Sequence, residues 1–294
     1  MLNLYVVLLL KIYVYSHIDR KLEYILTGDY MFFVFSKEKI YTYLVSMATV
    51  ILLFCAVSNM NTNSSKTVET SATDGKLLPI YQVETKQNKV ALTMNCAWNA
   101  DDIDQILKIL EDNQVKITFF MVGDWIDKYP EYVKKINEAG HEIGSHSNTH
   151  PHVNNLSYEK NIEEIESSND KIEKLIGKRT SLYRAPYGEY NNTVIKAATD
   201  KGYYTIQWNL DTLDYTGLTG EKMWQRLENK LSSGSIILMH NGTEHTADSL
   251  DMLIRNIKAK GFELVKVSDL IYKDNYKINS AGIQIDCNDK NRSE

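Results

Sequence analysis

The sequence predicts an α/β protein: a barrel of about seven parallel strands wrapped in helices, behind an apolar N-terminal segment. From residue 78 onward, short apolar runs alternate with amphipathic stretches, the pattern of a parallel sheet with helices outside. Two of the runs, KVALTMN at 89–95 and ITFFMV at 117–122, are almost continuously apolar, as strands buried on both faces require. The number of such runs suits a barrel better than an open sheet.

The elements follow in order. Residues 80–84 and 89–95 read as strands. Ile103, Ile106, Leu107 and Leu110 repeat at helical spacing. Residues 117–122 form the next strand, and Pro130 suits the first turn of a helix that Gly140 stops. Residues 142–145 return as a strand. Ser157 caps a long helix carrying Ile162, Ile165, Ile172 and Ile176, which Gly177 ends. Strands at 181–184, 203–209, 235–240 and 263–267 then alternate with helices at 192–201, 221–231 and 247–260.

With 294 residues, 43% of them apolar and 24% charged, the chain has the composition of an ordinary globular protein with material for a substantial core. A net charge of -5 and the lack of any basic cluster argue against nucleic-acid binding, and the domain is expected to be monomeric. Nineteen tyrosines against seven phenylalanines suit a wet carbohydrate groove. Cys55, Cys96 and Cys287 are too scattered to define a disulfide framework.

Residues 40–57 contain no charge and follow Lys37 and Lys39. As a helix they would span about 27 Å, close to the roughly 30 Å hydrocarbon core. Lysines ahead of the run place the N-terminus inside and the remainder outside. The small residues of Ala56-Val57-Ser58 also permit cleavage after Ser58, which would release a secreted domain. Met31 opens a complete short leader, so residues 1–39 read as a cytoplasmic extension or as the product of an upstream start. Residues 58–77 are a polar linker, 78–272 the domain and 273–294 a polar, loose tail.

Ionisable and polar residues gather at the predicted strand ends: Asn95 and Cys96, His146, Arg184, and His240, with Asp211 and Asp214 just beyond another. In a parallel barrel that is where chemistry resides. His146 and His150 stand at i, i+4, so one helical turn would offer both imidazoles to a single cation. His141 reads as a packing or hydrogen-bonding residue, His152 as a loop residue and Asp211 as structural.

His146-Ser147-x-x-His150, Arg184-Ala185-Pro186-Tyr187, Asp211-Thr212-Leu213-Asp214-Tyr215 and Ile237-Leu238-Met239-His240 resemble four of the five motifs of the polysaccharide deacetylases. These are the NodB-homology domains of carbohydrate esterase family 4, and the sporulation-associated deacetylase-like proteins are the most similar group. The resemblance covers roughly residues 78–272. It implies a distorted (β/α) barrel that removes N-acetyl groups from a cell-wall glycan of the peptidoglycan type. It also implies a divalent metal on His146 and His150, zinc first, then cobalt, nickel or manganese. His240 would be the general acid, Asp214 its partner, and Arg184 the orienter of the base. Tyr187, Tyr215 and Leu238 would meet substrate, Tyr187 through its backbone N–H.

The first motif departs from the family pattern Thr-Phe-Asp-Asp-Gly, reading Thr93-Met94-Asn95-Cys96-Ala97. Asn95 stands at the catalytic-base position, and an amide has no basic lone pair. Cys96 stands at the position of the metal-binding Asp. Asp101 is the first choice for third ligand, then Cys96 as thiolate, then Asp102, or two histidines with extra water. The expected function is a metal-dependent deacetylase weakened by Asn95, or one whose base is displaced to Asp101 or Asp102. The alternative is an inactive homologue that binds peptidoglycan or metal.

Overall fold

A computed structural model describes residues 41–50 and 75–288, and the chain divides into residues 1–65 and 66–294. Residues 41–50 are helical with exposed side chains. Among the described residues no helix is long and apolar enough to cross a membrane. Most of the expected anchor and linker lies outside the described residues.

The second unit is built on a parallel sheet. Its strands are β2 (Lys89–Cys96), β3 (Thr118–Met121), β4 (Glu142–Ser145), β5 (Leu182–Tyr183), β6 (Tyr204–Thr205), β7 (Leu210–Asp211) and β8 (Ile236–His240). They run in the order β6-β5-β4-β3-β2-β8-β7, and β9 (Glu263–Val265) also pairs with β2. Every pairing is parallel, so all the C-terminal ends share one edge. This is the expected α/β sheet, consistent with a distorted barrel. The predicted strand at 203–209 is shortened to β6, and β7, which follows it at Leu210–Asp211, lies at the opposite edge of the sheet. The backbone of Ile80 runs beside β6, donating to Thr205 O at 2.8 Å and accepting from Gln207 N at 2.7 Å.

Strand alternation sorts the side chains. On β2, Leu92, Met94 and Cys96 join the outer core with Phe119, Met121, Ile237 and Met239. The helices α1 (Ile103–Asp112), α2 (Gly123–Lys128), α3 (Pro130–Glu138), α6 (Gly220–Leu227) and α7 (Thr246–Ala259) pack on that side through Ile106, Trp125, Val133, Met223 and Leu253. Ala91, Phe120 and Ile236 belong to a separate inner cluster with Ile80, Leu182 and Ile206. The large Phe120 ring is accommodated because its register partner is Gly144, where a Cβ would stand 2.6 Å from that ring.

Helix α4 (Tyr158–Ile176) begins where Ser157 accepts from Lys160 N, and it ends at Gly177 in the left-handed region. Pro130 opens α3 as expected. Asn191 caps α5 (Asn192–Asp200) by accepting from Val194 N.

The predicted strand at 80–84 and the tail need correcting. β1 (Gln82–Val83) lies outside the large sheet and pairs with β11 (Ile283–Asp286), which pairs in turn with β10 (Tyr276–Ile278). Residues 276–286 are therefore folded. Burial of Tyr276 and Ile278 against the inner cluster drives this, and α8 (Val267–Leu270) leads into it.

Candidate active site

β2 and β8 put Asn95 directly opposite His240. Asn95 is 4% exposed and accepts at Oδ1 from Arg184 Nη1 at 2.9 Å. Arg184 itself is fully buried. Its Nε donates to Ile206 O at 3.3 Å and its Nη2 to Gln207 O at 3.2 Å, while Phe120 lies under the guanidinium at 4.0 Å. Burial pulls the Arg184 pKa down to about 9, which leaves it charged at neutral pH.

Asp214 is completely buried and fully engaged. Its Oδ1 accepts from His240 Nδ1 at 2.9 Å and from Tyr215 N at 3.0 Å; its Oδ2 accepts from His240 N at 2.6 Å and Thr246 Oγ1 at 2.8 Å. The Nδ1 proton of His240 is thereby held toward the carboxylate, and Nε2 is left for a ligand. Trp98 and Tyr215 each lie 5.3 Å from the His240 ring, the first tilted and the second edge-on.

His146 and His150 are brought together by a loop, not by the helical turn their spacing suggested. Ser147 (φ 68) and His150 (φ 57) take left-handed backbone, and the two imidazoles sit 4.9 Å apart edge to face. The carboxylate of Glu164, on α4, holds the loop. It accepts from Ser147 Oγ, Asn148 N, Thr149 N and Thr149 Oγ1 at 2.8–2.9 Å, contacts that bring its pKa down despite burial. His146 Nδ1 meets Arg184 O at 2.8 Å, an arrangement that directs its Nε2 lone pair outward. Burial holds the pKa of both rings below the usual histidine value, so both are neutral donors.

The third ligand is another matter. Among the described residues no group of three or more His, Cys, Asp or Glu side chains is placed to hold a metal ion. Cys96 faces the outer core, because alternation turns it away from Asn95. Its thiol is fully buried, and desolvation pushes its pKa well up, so a thiolate is disfavoured. Asp101 is exposed. Asp102 is spent on Gly242 N at 2.7 Å and Asn241 Nδ2 at 3.2 Å. The donor set is two imidazoles, one short of the three protein ligands of a catalytic zinc site. The expected metal centre does not fit these residues.

Tyr187 (φ 57) presents its ring to solvent, stacked on His152 at 4.3 Å and edge-on to His150 at 4.5 Å. His152 pairs with Glu189 at 2.7 Å. Leu238 is buried, 2% exposed, and its carbonyl accepts from Thr212 Oγ1. Asp211 is structural, accepting from Leu213 N at 2.8 Å. Within residues 75–288 the exposed large apolar side chains are Trp98, Tyr187 and Tyr215, and all three border His240 or His150. Of six non-glycine residues with positive φ among the described residues, Ser147, His150, Tyr187 and Leu213 lie on the loops of this site. Strained backbone of this kind concentrates where function fixes it. Trp98 and Glu164 were not singled out from sequence as site residues. An exposed Trp beside the first motif was the available signal for one; nothing local marks the other.

A parallel sheet, consistent with a distorted barrel, carries a buried Asp–His pair, two neighbouring imidazoles and an aromatic rim at its C-terminal strand edge, the arrangement expected of a polysaccharide deacetylase scaffold. The polysaccharide deacetylase family model matches residues 82–206, and the chain belongs to that family, the NodB-homology proteins of carbohydrate esterase family 4. It is 36% identical over 193 residues to the uncharacterized protein YlxY of Bacillus subtilis, covering 66% of this chain and 60% of that relative's length. It is 30% identical over 186 residues to a peptidoglycan-N-acetylglucosamine deacetylase of Bacillus cereus, covering 62% of this chain and 68% of the relative. A solved pseudoenzyme of the same family from Bacillus anthracis is 31% identical. It superposes with a TM-score of 0.64 over 70% of this chain and 72% of that one. A mutant of a family pseudoenzyme, 32% identical to this chain, has restored enzymatic activity.

Proposed function

We infer that this protein binds N-acetylated cell-wall glycan of the peptidoglycan type on the deacetylase scaffold, with hydrolysis reduced to a residual rate. The observation that carries the reading is Asn95. Its carbonyl oxygen is turned to Arg184, so the group beside His240 can accept no proton from water. The binding half of the site remains: the rim of Trp98, Tyr187 and Tyr215 offers flat apolar faces to sugar rings. His240, its Nδ1 proton held by Asp214, can pass a proton from Nε2 to the leaving amine when the ring is protonated. That intact pair favours a second reading, a slow deacetylase.

Pull-down on insoluble peptidoglycan and acetate release from N-acetylated fragments test both. The wild type is expected to bind, and to release acetate about 10²–10⁴-fold more slowly than Asn95→Asp, the range that a positioned base contributes. Equal rates in the two proteins would establish an enzyme with a displaced base. Loss of binding on Tyr187→Ala with Tyr215→Ala is expected; an absence of binding by the wild type would end the glycan reading.

A further inference from the structure

Arg184 carries a charge that the fold does not neutralise. Its three hydrogen-bond partners, Asn95 Oδ1, Ile206 O and Gln207 O, are all neutral oxygens. The Asp211 carboxylate acts on it only through space, and is itself turned to Leu213 N. A buried charge that no carboxylate touches is expensive, and at neutral pH the guanidinium keeps its proton.

The same contact fixes the orientation of Asn95. A guanidinium only donates, so the amide must turn Oδ1 toward it. Nδ2 then points the other way, on the strand-end residue opposite His240, and donates to no described residue. His240 Nε2 is the other free polar atom there, its Nδ1 being held by Asp214. The floor of the cleft therefore presents a hydrogen-bond donor backed by a buried cation, where a carboxylate in the same place would present an acceptor.

We propose that the Asn95–Arg184 floor is a receptor for a small carboxylate, which accepts from Asn95 Nδ2 and supplies the counter-charge that Arg184 lacks. The carboxylate has two sources, a free acetate-class anion or the carboxylate of an acidic amino sugar. The site shares the cleft with the glycan reading, yet it does not depend on it.

The test is titration of the full chain with sodium acetate against sodium chloride at an ionic strength of about 0.1 M, where distant charges are screened. Thermal unfolding and the Asn95 side-chain amide signal in ¹⁵N NMR report binding. Acetate is expected to raise the wild-type midpoint and to move that signal saturably. Asn95→Asp supplies the carboxylate internally. It is expected to unfold at a higher temperature without acetate and to bind acetate about tenfold or more weakly, the effect of losing a hydrogen bond to a charged group. Asn95→Leu, which removes the donor while leaving an apolar side chain of similar size, is expected to lose the response as well. N-acetylmuramic acid, which carries a carboxylate, and N-acetylglucosamine, which carries none, separate the sources. Tighter binding of the first places the anion on the sugar; equal binding with the acetate response intact makes it a free anion. No saturable acetate response in the wild type, or an undiminished one in both Asn95 variants, overturns the proposal. Peptidoglycan binding retained in that event leaves the glycan reading standing.

Discussion

Asn95 and His141 show what a single side chain can disclose before its surroundings are seen. That Asn95 lacks a basic lone pair follows from its chemistry alone. That it faces Arg184 with oxygen, and so offers a donor to the cleft, follows only from the contact. His141 was legible as a hydrogen-bonding core residue, and it is one: Nδ1 accepts from Ile117 N at 3.1 Å, while Nε2 is buried without a partner. Burial, and then the charge of Lys116, push its pKa from 6.5 down to about 4. Between those values the unfolded chain binds a proton that the folded chain refuses, so stability rises with pH across this window. The contribution is complete above about pH 6.5, and about 2 kcal/mol of it is lost by about pH 5. Urea unfolding of the wild type should show that loss. His141→Gln, which keeps an acceptor but does not titrate, should show a correspondingly flatter slope; an unchanged slope would assign the effect elsewhere.

Among the elements, those with a long period or a marked end were readable. Ser157 and Gly177 bound α4 as their chemistry requires. Helix α2 was missed because six residues are too short to show periodicity. The segment 146–150 was misread for a different reason: i, i+4 spacing describes a helix, but Ser147 and His150 adopt positive φ, which spacing does not encode. What holds that loop is Glu164, fourteen residues on from His150 in sequence and in direct contact with the loop because α4 returns over it. Its four accepted hydrogen bonds are charge-assisted, and two of them satisfy backbone N–H groups. Glu164→Ala should therefore destabilise the domain by about 1.5–3 kcal/mol. Glu164→Gln, which keeps one acceptor oxygen, should lose less. The distinguishing readout is local: hydrogen exchange at the amides of Asn148 and Thr149 should accelerate well beyond the global change. Uniform acceleration across the domain would mean that Glu164 stabilises without positioning the loop.

At the scale of the molecule, the parallel sheet was legible because strands buried on both faces leave an apolar record. The boundary of the domain was not. Residues beyond 272 are polar on average, and few of their apolar positions reach the core. Tyr276 and Ile278 join the inner cluster of Ile80, Val83 and Phe120, and β11 supplies the parallel partner that β1 lacks in the large sheet. Gln284 is completely buried, accepting from Tyr272 N at 2.9 Å and donating to Tyr272 O at 2.7 Å, so the hairpin is also tied to the chain that leads into it. A chain ending at residue 272 would expose part of the inner cluster and leave β1 without its partner β11. Each large side chain buried here is worth about 1.5–3 kcal/mol as an upper bound. Removal of the hairpin should then cost several kcal/mol, and each kcal/mol moves the midpoint of a domain this size by about 2–4 °C. The truncated protein should melt roughly 10 °C or more below the full chain. Scanning calorimetry of the two proteins decides the point. Coincident transitions would show residues 276–286 to be an appendage, while a large downward shift makes them part of the cooperative unit that supports Asn95 and Arg184 through Phe120.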